Sequence, residues 1–121
     1  MKKESEAVIQ QQIYIYFHNT YRELIIHSVP NGIPINTKET PRMLDMLHKT
    51  GMVNGISDLI IHGKNGRCIM VEVKNSVGVQ SEAQKKIQLK LQSIGGVYLL
   101  VRSLEDFKEK LSKNLDWLLD K

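Results

Sequence analysis

The chain has 121 residues, 41% of them hydrophobic, with 17 basic residues against 13 acidic ones and a net charge of +4. This length predicts a single domain over residues 1–121, large enough to form a hydrophobic core without a disulfide or a structural metal. The lone cysteine, Cys68, excludes an intrachain disulfide. Because it lies in an apolar run, we expect it to be buried and the compartment to be reducing. The N-terminus is not that of a secretory signal and no apolar run could span a bilayer, so we expect a cytoplasmic protein without a membrane partner.

The positive charge is concentrated in one segment. Residues 64–90 contain six basic and two acidic residues, whereas the rest of the chain contains eleven of each. The basic residues of this segment are Lys64, Arg67, Lys74, Lys85, Lys86 and Lys90. A local excess of this kind is typical of a surface that binds nucleic acid, although solvated lysines are also common on ordinary helices.

The first part of the chain predicts a helix, a strand and an ambiguous segment. Apolar residues recur at helical spacing over residues 5–17, although the end of this segment also alternates like a strand. The apolar run over residues 24–29 predicts a strand, which ends at the turn Pro30-Asn31-Gly32. Residues 36–50 are ambiguous and fit a helix that stops at Gly51.

A hairpin is predicted next. Two apolar runs, residues 59–61 and 69–71, flank the turn sequence Gly-Lys-Asn-Gly. The Asn-Gly pair could form a two-residue turn, which would pair Lys64 with Arg67. A three-residue loop whose last residue is left-handed would pair Gly63 with Arg67 instead.

These two registers differ in where they place the acidic residues. The two-residue turn puts Asp58 and Glu72 on opposite faces of the sheet. The three-residue loop brings Asp58 opposite Glu72 and puts Lys74 on the same face, because side chains alternate along a strand. A shared chemical site therefore requires the three-residue loop.

The second half of the chain predicts a helix, a strand and a final helix. Ser81 and Gln84 have the spacing of a capping box at a helix start. The apolar run over residues 97–101 predicts a buried strand, and Ser103 precedes a last helix over residues 104–119. The buried stripe of the first of these helices should contain Ala83, Ile87, Leu91 and Ile94. Because this helix connects two strands, they should be parallel, and the pattern predicts an α/β fold, a mixed four-stranded sheet flanked by helices on both faces.

Asp58 and Glu72 lie directly beside apolar strands, where a charge is costly unless it has a function. No histidine or cysteine nearby has the spacing of a zinc site. Two such carboxylates are typical ligands of Mg²⁺, with Mn²⁺ as an expected substitute, and the Val73 carbonyl is a candidate further ligand. Lys74 could hold the attacking water or stabilise charge on phosphorus. The pattern predicts a metal-dependent phosphodiesterase site.

The order of these motifs resembles a known family. Asp58 followed by Glu72-x-Lys74 resembles the PD-(D/E)xK nuclease motif, and the wider pattern resembles its VRR-NUC branch, the virus-type replication-repair nuclease domain, over nearly the whole chain. The segments that carry the resemblance are Glu6-x-x-Ile9-Gln10, Gly55-Ile56-Ser57-Asp58, Glu72-Val73-Lys74, Ser81-x-x-Gln84 and Gly95-Gly96-Val97-Tyr98 leading into Val101-Arg102-Ser103. Ser57 departs from the proline that the family often has. The resemblance implies a restriction-endonuclease-like fold.

The resemblance also implies roles for individual residues. The implied catalytic residues are Asp58, Glu72, Lys74, Gln84 and Glu6. The implied metal ligands are Asp58, Glu72 and the Val73 carbonyl. Alternatively, Gln84 only completes the helix cap. Glu6 could instead be only a favourable charge in the first turn of a helix, and Glu4 is a second candidate for its catalytic role.

DNA is the partner that the charge and the resemblance together favour. The candidate DNA contacts are Lys85, Lys86, Lys90, Lys64 and Arg102, with an ion pair to Glu105 as the alternative for Arg102. The small stand-alone members that the chain resembles act as homodimers on branched DNA such as four-way junctions. We therefore expect an Mg²⁺-dependent endodeoxyribonuclease of this kind. The alternatives are a non-catalytic DNA-binding subunit of the same fold, or a nicking, single-strand or RNA nuclease without junction preference.

Overall fold

A computed structural model describes residues 4–30 and 40–121 of the protein. The helices are α1 (Glu6–Thr20), α2 (Thr40–Lys49), α3 (Glu82–Ser93), α4 (Leu104–Ser112) and α5 (Leu115–Leu119). The strands are β1 (Ile25–Ser28), β2 (Leu59–His62), β3 (Cys68–Val73) and β4 (Val97–Val101). The turn predicted at Asn31-Gly32 and the start of the ambiguous segment, residues 36–39, lie outside the described residues. In the part of the chain that is described, no helix is long and apolar enough to cross a membrane.

The strands form one sheet in the order β1-β2-β3-β4. Neighbouring strands are antiparallel from β1 to β3, and β4 is parallel to β3. The parallel pair is connected through α3, as the predicted strand-helix-strand unit requires. The α/β class and the mixed four-stranded sheet are confirmed.

The hairpin between β2 and β3 closes with a three-residue loop. The N–H of Gly63 donates to the carbonyl of Arg67 at 2.7 Å, and the N–H of Arg67 donates back to the carbonyl of Lys64 at 3.1 Å. Gly66 is left-handed with φ +72°, as expected, and Asn65 is left-handed too, with φ +58°. Asparagine tolerates this conformation better than most residues because its short polar side chain bonds locally.

The register of the hairpin is the one that a shared site requires. Leu59 lies opposite Val71, and the pairing continues residue by residue to the turn. Extending the same ladder by one pair places Asp58 opposite Glu72. The two-residue turn, which would have separated the two acids, is excluded.

The hydrophobic core lies between one face of the sheet and the helices α1, α4 and α5. Ile13, Phe17 and Phe107 are fully buried. The rings of Phe17 and Phe107 meet edge to face with their centroids 6.3 Å apart, which joins α1 to α4. Each such side chain contributes about 1.5–3 kcal/mol to stability through burial. The core therefore fixes α1, and with it Glu6 at its start, relative to the strands.

The opposite face of the sheet is covered less completely, and two predictions fail there. Cys68 is exposed instead of buried, because α3 packs beside β4 and leaves the start of β3 open. Ile94, predicted to belong to the buried stripe of α3, follows the end of that helix and is 76% exposed. Ala83, Ile87 and Leu91 are only partly buried. Deep burial on this face is found instead at Glu72 and Tyr98.

The helix predicted over residues 104–119 is two helices, α4 and α5. They are separated at Asn114, which has φ −118° and ψ 0°. The side-chain amide of Asn114 donates to the carbonyl of Lys110 at 3.2 Å. Asparagine competes with the main chain for such bonds, so it favours the end of a helix over its interior. The break lets Leu118 reach the core, where it is fully buried.

Candidate active site

Asp58 and Glu72 face each other where β2 and β3 meet their flanking loops. Asp58 immediately precedes β2 and is half-buried, and its Oδ2 accepts a hydrogen bond from the N–H of Val73 at 2.7 Å. Glu72, in β3, is only 1% exposed. The bond to Val73 fixes the Asp58 carboxylate against the strand that carries Glu72.

Each oxygen of the Glu72 carboxylate has its own partners. Oε2 accepts from the side-chain amide of Gln84 at 2.9 Å and lies 4.0 Å from Nζ of Lys74. Oε1 accepts from the hydroxyl of Tyr98 at 3.3 Å. The side chain of Lys74 is itself mostly buried, with 12% of its surface exposed. The carboxylate is therefore held from α3 and from β4, with the ammonium of the residue that follows β3 beside it.

The pKa of Glu72 is raised from 4.5 to about 8. The largest cause is desolvation by burial, followed by the hydrogen bond and the charge repulsion from Asp58, while Lys74 and Tyr98 lower the pKa in part. Burial also raises the pKa of Tyr98 to about 12, so its hydroxyl stays protonated and remains a donor at neutral pH. The carboxyl of Glu72 therefore retains its proton at neutral pH more readily than an exposed glutamate does.

Gln84 serves the helix cap and the acidic pair at once. Its side-chain oxygen accepts from the N–H of Ser81 at 2.8 Å, and its backbone N–H donates to Oγ of Ser81 at 3.1 Å, which completes the capping box. The nitrogen of the same side-chain amide donates to Glu72. The two roles that the sequence offered as alternatives for Gln84 are compatible.

Glu6 lies beside the loop that follows β3, next to the stem of Lys74. Its Oε2 accepts from the N–H of Asn75 at 3.3 Å. A Cβ added to Gly78 would come within 2.7 Å of that oxygen and within 3.3 Å of Cδ of Lys74, so the glycine allows their close approach. Glu4, which precedes α1, instead accepts a hydrogen bond from the side chain of Gln12 on α1. Of the two rivals, Glu6 is the one that the structure places beside a predicted catalytic residue, and its catalytic role stays a prediction.

Arg102 anchors the loop that follows β3. Its Nη1 donates to the carbonyls of Asn75 and Gly78, at 2.8 and 2.7 Å. It forms no ion pair with Glu105, since that carboxylate pairs with Lys108. The guanidinium therefore already has partners within the protein. If it also bound DNA, it would contact a phosphate while keeping these bonds or would have to break them.

The predicted lysine contacts lie in two separate places. Lys85, Lys86 and Lys90 are exposed on α3, and Lys85 forms an ion pair with Glu82 at 3.3 Å. Lys64 is in the hairpin turn, at the opposite end of β2 from Asp58 and about 20 Å from it along the strand. Lys85 directly follows Gln84, which donates to Glu72, so the start of α3 lies at the acids. Lys64 lies at the far end of the hairpin from them.

Two residues beside the site were not predicted as functional. Tyr98 is buried and contacts Glu72, and Gln80 donates both to the Tyr98 hydroxyl at 3.3 Å and to Gln88 at 2.8 Å. The signal for Tyr98 was available in the alternation of β4. Glu72 lies opposite Leu100, so residue 98 shares its face, and a tyrosine in an otherwise aliphatic strand needs a partner for its hydroxyl.

Comparisons with known proteins agree with this architecture. This chain is similar to a solved structure described as a "VRR_NUC domain protein". The match covers 95% of this chain and 91% of the other, with a TM-score of 0.71 and 16% sequence identity. The chain has the fold of a VRR_NUC domain protein. No family model matches the sequence, and no curated protein matches it either. The similarity at this identity concerns the fold, so the site of this VRR_NUC-like chain has to be judged from its own residues.

The residues of the site fit a hard divalent cation. No group of three or more histidine, cysteine, aspartate or glutamate side chains is assembled within residues 4–30 and 40–121. Mg²⁺ does not need one, because it usually takes one or two protein carboxylates and completes its shell with water and phosphate oxygens. Asp58 and Glu72 are two oxygen donors, and their mutual repulsion contributes to the raised pKa of Glu72. A divalent cation would relieve the same repulsion, and the Val73 carbonyl stays a predicted further ligand.

Proposed function

We propose that the protein is a metal-dependent endodeoxyribonuclease that hydrolyses DNA phosphodiester bonds at Asp58, Glu72 and Lys74. The observation that carries the proposal is the buried carboxylate of Glu72, opposed by Asp58 and 4.0 Å from the ammonium of Lys74. A buried glutamate opposed by a half-buried aspartate costs stability unless a function retains the pair. The VRR_NUC fold supports a nuclease.

Each residue has a defined task in this proposal. Asp58 and Glu72 would hold Mg²⁺ or Mn²⁺, which when bound supplies Lewis-acid chemistry to the phosphodiester and to the attacking water. Lys74 is restrained by its partly buried stem, so its ammonium can orient that water or stabilise charge on the phosphoryl oxygens. Gln84 and Tyr98 keep the Glu72 carboxylate in one orientation by donating to its two oxygens.

Branched DNA, such as a four-way junction, is the substrate we propose, with a homodimer as the active assembly. Both rest on the resemblance to small stand-alone VRR-NUC nucleases. A two-fold dimer would present one site to each of two strands of a junction. The exposed lysines of α3 would contact phosphates near each site.

Cleavage of labelled DNA tests the proposal. A four-way junction and a linear duplex of matched sequence are incubated with Mg²⁺, with Mn²⁺ and with EDTA, using wild type, Asp58→Asn and Lys74→Met. We expect metal-dependent cleavage of the junction and a loss of about 10²-fold or more in each variant. Asp45→Asn is the matched control, because Asp45 is an exposed aspartate on α2 paired only with Lys49 among the described residues.

The other outcomes separate the alternatives. Equal cleavage by wild type and Asp58→Asn would show that the site is wrongly assigned. DNA binding without cleavage in either metal would identify a non-catalytic DNA-binding protein of this fold. Equal cleavage of junction and duplex would remove the junction preference, and sedimentation as a monomer on DNA would remove the dimer.

A further inference from the structure

We infer that an open groove between α1 and the edge strand β1 binds an unpaired nucleobase of the DNA strand that is cleaved. This inference rests on the proposed nuclease function and names a subsite for it. The groove has a volume of about 510 Å³, within the range of small-molecule sites and ample for one nucleoside. Its wall on the helix side is a stripe of α1 that includes Gln10, Gln11 and Tyr14, spaced so that they lie on one helix face.

The chemistry of the groove suits a planar, neutral ligand with hydrogen-bonding edges. Ile26 and Leu59, both nearly or fully buried, supply an apolar floor against which the face of a base can pack. Gln10, Gln11 and Ser28 also line the groove and keep surface exposed to solvent. Side-chain amides pair with base edges because they carry a donor and an acceptor side by side.

The groove is also unsuited to a phosphate. No lysine, arginine, aspartate or glutamate of the described chain lines it, and the ring of its lining histidine, His27, is already bonded to the Ser28 carbonyl and to His62. The side chains of Gln10 and Gln11 have no hydrogen-bond partner among residues 4–30 and 40–121, in contrast to Gln12, whose amide donates to Glu4 at 2.8 Å. The two amides are therefore available to a ligand without breaking a bond within the protein.

The groove lies on the face of the sheet that α1 covers, whereas Glu72 lies on the α3 face, and the two are connected through the starts of α1 and β2. Ala7, which lines it, follows Glu6, and Leu59 follows Asp58. The carbonyl of Asp58 also accepts from the N–H of Val29, the residue after the groove residue Ser28. A base in the groove would therefore belong to a strand that passes around the start of β2 from the face that carries Glu72, and only an unpaired base can turn its face and edge into a protein groove in this way.

The test is an abasic scan on splayed-arm DNA. A fluorescein-labelled fork is prepared with one tetrahydrofuran abasic residue at each position around the branch, and binding is measured by anisotropy in Ca²⁺ to suppress turnover. We expect one position at which base removal weakens binding by wild type roughly tenfold, as expected for one well-made base contact. A scan without such a position, in a protein that binds the fork, would overturn the groove site and leave the proposed nuclease function standing.

Variants assign that position to the groove. In Gln10→Leu/Gln11→Leu the intact fork should bind several-fold more weakly, and the abasic residue should cost clearly less than in wild type, because only the packing of the base on the apolar floor is then left to lose. Gln12→Leu, on the same helix but bonded to Glu4, should keep the wild-type scan. Additive losses from the double variant and the abasic residue would overturn the inference. Failure to bind or cut any DNA would instead count against the proposed function itself.

Discussion

Gln84 donates to Oε2 of Glu72 at 2.9 Å, while the oxygen of the same amide accepts from the N–H of Ser81 at 2.8 Å. One side chain thus joins the start of α3 to the most deeply buried acid of the described chain. The capping box fixes the amide before any substrate is present, so Glu72 receives its hydrogen bond from a group whose own orientation is already set.

The dual role of Gln84 predicts that cap and site can be separated by mutation. Ser81→Ala removes the hydroxyl of the cap and should lower stability by about 1 kcal/mol while leaving cleavage within a few-fold of wild type. Gln84→Leu removes the cap bond and the donor to Glu72, and should lower cleavage by at least about tenfold. Thermal melts and single-turnover rates on the same samples measure both effects. Equal loss of activity in the two variants would mean that Gln84 acts only through the helix.

The raised pKa of Glu72 predicts a pH-dependent stability of the metal-free protein. Since the pKa is about 8 in the folded state against an ordinary 4.5, the folded protein retains a proton that the unfolded chain has lost between these values. The stabilising effect of that proton is complete below pH 4.5 and disappears as the pH rises towards 8. The wild type is thus penalised at pH 8, whereas Glu72→Gln, which has no charge to bury, is not.

Melting curves in EDTA test this prediction. Glu72→Gln should have a higher Tm than wild type at pH 8 and a much smaller advantage at pH 5, while losing cleavage at both. Adding Mn²⁺ should raise the Tm of wild type at pH 8 and leave that of Glu72→Gln almost unchanged. A Tm difference independent of pH would show that Glu72 does not titrate between the two values.

Much of this site was predictable because it depends on local pattern. The alternation of β2 and β3 and the length of the turn place Asp58, Glu72 and Lys74 on one face, and no long-range information is needed. The cap at Ser81 follows likewise from a four-residue signature. The parallel pairing of β3 and β4 follows from the helix between them.

The parts that could not be predicted depend on how elements pack. Cys68 is exposed because α3 leaves the beginning of β3 uncovered, which the apolar pattern of the strand does not reveal. Arg102 donates to loop carbonyls more than twenty residues away in the sequence. Its positive charge alone does not reveal whether it binds such carbonyls or a phosphate. Asn114 ends a helix whose apolar spacing continues past it. In each case tertiary contacts outweigh the local signal.

Tyr98 is predicted to position Glu72 for metal binding. Tyr98→Phe removes the donor to Oε1 and leaves the ring and its packing in place. We expect Mn²⁺ to bind several-fold more weakly, because the freed carboxylate samples more orientations. Gln80→Leu, which removes the bond to the Tyr98 hydroxyl, should have a smaller effect in the same direction. Isothermal titration with Mn²⁺ measures both, and unchanged affinity in Tyr98→Phe would exclude the positioning role.

Arg102 is predicted to act on the loop and not on DNA. Arg102→Gln should increase amide hydrogen exchange over residues 75–80, because two anchoring bonds are lost. The dependence of DNA affinity on salt should keep its slope. If Arg102 neutralised a phosphate, Arg102→Gln would reduce the magnitude of the slope of log affinity against log salt by about one. We expect such a reduction for Lys86→Gln. Binding curves at several salt concentrations distinguish the two roles.

Gly55 is predicted to be essential because it lies against the backbone of α3. It has φ +86°, and a Cβ at this position would lie 2.5 Å from the carbonyl carbon and oxygen of Ala83 and 2.8 Å from the backbone nitrogen of Gln84. None of these backbone atoms can move without displacing the start of α3, and with it the amide that holds Glu72. Gly55→Ala should therefore lower both stability and cleavage.

Gly95 provides the matched control, since it has the same φ of +86° and a Cβ added there would meet nothing within 4 Å among the described residues. Gly95→Ala should cost only the backbone strain of a left-handed alanine, about 1–2 kcal/mol, and leave cleavage intact. Gly55→Ala should add the steric conflict to the same strain. Denaturant unfolding and single-turnover cleavage of the two variants then isolate the contact with α3. If both lose the same stability and neither loses activity, the approach of Gly55 to α3 has no part in shaping the site.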